Sequence, residues 1–196
     1  GSLAAMTEHA IAIKLAEEDP FRPDNGALSP EEARQGAERL AAALTFGHAF
    51  TLLATGDQAD PALAAGALDP RKVLVEWRDD QRQALVRRGI FAPSTYGRLR
   101  FHHRSAQEYL AATWLKRLLE AGCSLSRVWE LIFAERYGVE TVVPSLRAVG
   151  AWLALWVPEI RDETIRREPL ALLVHGDPRS LPIPSREALL LAYAVK

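Results

Sequence analysis

Cysteine is almost missing: Cys123 is the only one in 196 residues. No intrachain disulfide can form, and a reducing, cytoplasmic setting is expected. Cys123 itself reads as a small hydrophobe near a helix end, with no base partner identifiable in the sequence. Long apolar runs are missing too. A membrane span needs ~18 residues, and the longest candidate, Val149 to Pro158, is too short and holds two tryptophans. Net charge is only −1, so no global field draws the chain to nucleic acid or to a membrane. Lys is scarce beside Arg among the 24 basic residues, which points to a GC-rich genome rather than to a function. There is no Gly-x-x-x-x-Gly-Lys-Ser/Thr loop, and no apolar strand ends in paired acids. The chain is therefore not expected to cradle a nucleoside triphosphate by itself.

A hydrophobic content of 48% is enough for a packed core. The length leaves room for one domain or two small ones. Gly1-Ser2 resembles a cloning remnant. On that reading the native protein starts upstream of residue 3 and this chain is an excised piece.

Helix signals open the chain. Residues 5 to 17 carry Ala10, Ile11, Ile13, Leu15 and Ala16, then an acidic run to Pro20. Pro20, Pro23 and Gly26 predict a loop. Ser29-Pro30-Glu31-Glu32 predicts a helix start: N-cap serine, proline at N1, glutamate at N3. Beyond it, Ala33, Ala37, Leu40, Ala41 and Leu44 fall on one stripe whose small residues admit a close neighbour. Phe50 to Leu53 continues as apolar structure, and Gly56 to Pro61 breaks it. Asp69-Pro70 and Asp79-Asp80 open two short helices, the second ending at Arg87-Arg88-Gly89. Ile90-Phe91, a turn at Pro93 to Gly97, and alternation over Leu99 to His102 predict a β-hairpin. Helix, helix, hairpin, helix is the order of a winged helix.

After Gly122, helical patches of about 10 to 15 residues are expected between Pro144, Pro158, Pro169, Pro178, Pro182 and Pro184, as in stacked helical hairpins of the HEAT sort. The fold expected is mostly α. Residues 3–58 would form a small helical bundle, 59–121 a winged-helix domain with one β-hairpin, and 122–196 the start of a helical-repeat solenoid.

The richest stretch runs from Arg100 to Ala112, Arg-Phe-His-His-Arg-Ser-Ala-Gln-Glu-Tyr-Leu-Ala-Ala. Ser105 and Glu108 have the spacing of a capping box. Strand alternation sends His102 and His103 to opposite faces. Arg100, Arg104 and Ser105 complete a corner where donors and a helix N-terminus would welcome an anion or a docking domain.

Phe101 to Ala112 resembles the phrase that closes the winged-helix domain of NACHT-type STAND NTPases. These are nucleotide-switched signalling ATPases that include NOD-like receptors and many bacterial defence proteins. The resemblance implies that His103, with His102 as its neighbour, contacts the β-phosphate of ADP and holds an inactive state. It implies a parent protein with an upstream nucleotide-binding domain, ATP or ADP with Mg²⁺ bound there, a trigger recognised at the helical repeats, and oligomerisation. This chain would then couple sensing to the switch and hold no cofactor, metal or catalytic residue of its own. An imidazole suits the task, because it donates to a phosphate oxygen and binds more strongly when protonated.

The rival reading is a DNA-binding regulator. Arg71 to Arg104 holds Arg71, Lys72, Arg78, Arg82, Arg87, Arg88, Arg98, Arg100 and Arg104 against Glu76, Asp79 and Asp80, enough to meet several phosphates. Acids at the start of the candidate recognition helix argue against it, since base-reading side chains usually sit there. Nucleic acid and membrane are therefore not expected partners. Hydrolase readings are weaker still. His175-Gly176-Asp177-Pro178 reads as a turn, Ser105 and Ser124 as caps, and His103 with Glu108 lacks zinc spacing. The five tryptophans read as core or interface anchors.

Overall fold

The computed structural model describes residues 1–17, 26–54 and 66–195. The chain is mostly helical, with two small antiparallel hairpins among the described residues. It divides into two compact units, residues 7–111 and residues 1–6 with 112–196. The loop expected at Pro20 and Pro23, the break at Gly56 to Pro61 and the boundary at 58/59 lie outside the described residues.

In the unit 7–111, helix α1 (Leu3–Ala16) contributes Ile11 and Leu15 to the core. Helix α2 (Pro30–Phe46) starts where its sequence dictates. Ser29 Oγ accepts from the Glu32 N–H at 3.2 Å, and Glu32 Oε2 accepts from the Ser29 N–H at 2.8 Å. The Ser29 N–H and the Ser29 hydroxyl both donate to this carboxylate and hold it below its ordinary range. The expected stripe of Ala33, Ala37, Leu40, Ala41 and Leu44 is buried. Gly36 shares that face, where a Cβ would meet the Trp77 ring at 2.5 Å and Leu85 at 2.7 Å.

Strand β1 (Thr51–Leu53) pairs in parallel with β2 (Ala67–Leu68). Two short helices follow, α3 (Pro70–Val73), capped by Asp69, and α4 (Asp79–Val86). The expected hairpin is β3 (Phe91–Pro93) against β4 (Arg98–Phe101), with Phe91 opposite Phe101. Because β4 also pairs with β1, the sheet has four strands in the order β2-β1-β4-β3. Residues 51–53 thus share a sheet with the hairpin, which the apolar run Phe50 to Leu53 did not reveal. Helix α5 (Arg104–Glu120) then leaves the sheet.

In the other unit, α6 (Leu125–Ile132) runs into a second hairpin, β5 (Phe133–Arg136) and β6 (Val139–Val142). The sequence reading expected only helices here. Tyr137 and Gly138 form the turn with φ of 54° and 73°, the two positive values a tight hairpin needs. Helices α7 (Arg147–Leu153), α8 (Pro158–Arg167), α9 (Pro169–His175) and α10 (Ile183–Val195) follow. Pro158 and Pro169 stand in the first turns of α8 and α9, where a missing N–H costs nothing. Ile132, Leu153, Ile160 and Leu172 are fully buried, each contributing about 1.5–3 kcal/mol. Asp177 is buried in the expected turn. It accepts from the Ala4 N–H at 2.8 Å and the Ser180 hydroxyl at 2.7 Å. Burial raises its carboxyl, but these donors bring it below the ordinary range.

Candidate functional site

The hairpin delivers the chain to the helix N-terminus through His102 and His103. β4 ends at Phe101, whose ring lies 4.8 Å from that of Phe91 and anchors the strand. The His102 N–H still donates to the Ile90 carbonyl at 2.9 Å, and the chain then turns into α5. The two histidines do not go to opposite faces. Alternation stops with the strand, both side chains are exposed, and their rings meet edge to face at 4.4 Å.

The capping box at Ser105 does not form as expected. α5 begins at Arg104, and the His103 carbonyl accepts from the Gln107 N–H at 3.3 Å. Ser105 therefore lies within the first turn. Glu108 turns to Arg104, whose Nε donates to it at 2.8 Å. Ser124 does stand at the N-cap of α6, yet its hydroxyl makes no cap bond and meets Ser126 Oγ at 2.5 Å.

Beside the corner lies a cleft of about 110 Å³. Ala10, Ile11, Ile90 and Ala106 are its apolar lining, and Thr7, Lys14, His102, His103 and Ser105 its polar lining. Three of the expected site residues thus converge. Arg100 and Arg104 are exposed and do not line the cleft. Lys14 was not foreseen. Its ammonium bonds Glu17 at 2.8 and 3.0 Å. Its place at α1 position i+7 from Thr7 was the only available signal.

A second cleft, of about 400 Å³, lies along the other flank of α1. Ala12, Leu15, Ala16, Leu28 and Pro30 form its apolar wall, with Glu8, Arg34 and Arg88 among them. Arg34 spans two carboxylates, Nη2 to Glu8 at 2.9 Å and Nε to Glu38 at 2.7 Å. Burial lowers the Arg34 guanidinium, but the two partners outweigh it and raise it overall. Tyr109 is buried, and its hydroxyl donates to Glu8. Burial pushes that hydroxyl well above its ordinary range, and the Glu8 charge adds to the shift. Nothing in the sequence announced this cluster, because Glu8, Arg34 and Tyr109 come from three separate helices.

The arginine excess looks different in three dimensions. Arg71 bonds Asp69 at 2.9 Å, Arg78 bonds Asp80 at 3.0 Å and Arg82 bonds Asp79 at 2.7 Å. Arg87 donates to Gln83 at 3.1 Å. Among the described residues no three His, Cys, Asp or Glu side chains gather as metal ligands, and no helix is long and apolar enough to cross a membrane. No family model, curated protein or solved structure matches the chain.

Proposed function

We propose that this chain is a regulatory, sensor-coupling part of a nucleotide-switched signalling NTPase and carries out no catalysis of its own. One observation carries the reading. Two exposed imidazoles stand together where a hairpin meets the N-terminus of a 17-residue helix, beside a cleft that Lys14 and Ser105 help to line. A diphosphate presented to that corner would meet imidazole N–H donors, a hydroxyl, an ammonium and the positive end of the helix. His103 is the residue we assign to the β-phosphate of ADP, with His102 buttressing its ring. ATP or ADP with Mg²⁺ would be held by a nucleotide-binding module outside this sequence. The helical units after residue 122 would receive the trigger, and the corner would report it to the nucleotide.

The test is His103→Ala in the protein that carries the nucleotide module. ADP affinity should fall by about 5–150-fold, the range of a typical coupling energy, and basal signalling should rise. Unchanged ADP affinity together with unchanged basal signalling overturns the assignment.

Duplex DNA binding is the second reading, and the local ion pairs weigh against it. Arg71, Arg78 and Arg82 each lie against an aspartate within three residues. Their charge is already compensated where phosphates would have to approach.

A further inference from the structure

Lys14 lines the histidine cleft with a partner already bound. Among the described residues it is the only lysine or arginine in that lining. Its ammonium donates to both oxygens of Glu17, at 2.8 and 3.0 Å. Glu17 stands just past the end of α1, where a negative charge opposes the helix dipole. The helix therefore gains nothing from an acid here, yet the position is held. The Gly89 N–H donates to the Glu17 carbonyl at 3.2 Å. A Cβ at residue 89 would collide with the Glu17 carboxylate. The bare backbone of Gly89 thus seats that carboxylate, one residue before Ile90 of the cleft wall. All of these residues belong to the unit 7–111.

The geometry points to Glu17 as a tethered anion that occupies Lys14 until a phosphate group displaces it. The inference rests on the diphosphate reading of the histidine corner and adds a gate to it. With Glu17 in place, an incoming anion meets the imidazoles, the Ser105 hydroxyl and the start of α5, but no free ammonium. With Glu17 displaced, the ammonium is released to the anion. Lysine suits such an exchange, because its charge rides on a flexible four-carbon stem. The two side chains are 42% and 46% exposed, and an exposed pair of this kind is weak enough to open. A diphosphate carries more charge and more acceptor oxygens than one carboxylate, so it takes the ammonium from Glu17.

An amide-resolved NMR titration of the chain with inorganic pyrophosphate tests the gate. An ionic strength of about 0.15 M screens the distant repulsion of an exposed carboxylate. Glu17→Gln should bind pyrophosphate about two- to fivefold more tightly than the unsubstituted chain, with shifts at Lys14, His103 and Ser105. The gain should vanish in the Lys14→Gln background, where no ammonium is left to release. His103→Ala should weaken pyrophosphate with or without Glu17. Affinity that is unchanged or lower in Glu17→Gln, while His103→Ala still weakens binding, overturns the gate alone. A gain that survives Lys14→Gln does the same. No binding by either the unsubstituted chain or Glu17→Gln also overturns the gate, and leaves the His103 assignment to the ADP measurement. Pyrophosphate affinity indifferent to His103→Ala overturns the histidine reading and the gate with it.

Discussion

Glu38 is 1% exposed and faces the Arg34 guanidinium at 2.7 Å. Removing one member of a buried pair strands the other, which costs more than the pair contributes. Arg34 keeps Glu8, so the loss is cushioned. Glu38→Ala should cost about 2–4 kcal/mol, read from the urea midpoint at unchanged slope. Gly36 sets two effects against each other. Alanine is the better helix former by about 1 kcal/mol, but its Cβ would press on Trp77 and Leu85, and overpacking costs about 1–3 kcal/mol. Contact wins, and Gly36→Ala should lower stability by up to about 2 kcal/mol.

At the scale of elements, the second hairpin is where strain and charge meet. Tyr137 holds φ of 54° while its side chain is fully exposed, so packing does not repay the left-handed backbone. Tyr137→Asn should raise stability by about 0.5–1 kcal/mol in thermal unfolding. Glu140 and Glu163 share Arg166 and Arg167, which join the hairpin to α8. Hydrogen bonds from Arg166 come first in holding both carboxyls below the ordinary 4.5. A depressed carboxyl stabilises the fold above its unfolded value and loses that contribution as pH falls. The midpoint should therefore be flat above pH 4.5 and decline below it, and Arg166→Gln should flatten that decline.

The two Ser-x-x-Glu phrases show how far the sequence could be read at this scale. At Ser29 the expected capping box forms, because Pro30 has no N–H and fits only the first turn, which fixes the register. At Ser105 no proline bars the helix from reaching back to Arg104, and Arg104 then captures Glu108 at i+4. The first hairpin was legible from its turn residues and from alternation. The second was hidden behind a Tyr-Gly turn in place of the usual Asn-Gly, though the β-branched run from Val139 to Val143 was a usable signal. The histidine corner was visible as a phrase. Lys14 and the Arg34 cluster were not, because they come together only when helices distant in sequence pack side by side.

At the scale of the whole molecule, surface decides behaviour. α10 buries Leu189 but exposes Leu190, Leu191 and Val195, the first two at 62% and 69%. Leu191→Lys should therefore change stability by no more than about 0.5 kcal/mol, while raising the concentration at which the protein stays in solution. The charged surface gives a second expectation. With net charge −1 and arginines matched locally, duplex DNA should show no salt-dependent retardation in a gel shift.

Helix α1 is a party wall. Thr7, Ala10, Ile11 and Lys14 line the histidine cleft, while Glu8, Ala12, Leu15 and Ala16 line the arginine cleft. The two stripes sit on one rigid cylinder, so rolling it to enlarge one chamber squeezes the other. A substitution that shifts this cylinder is therefore felt on both of its flanks at once.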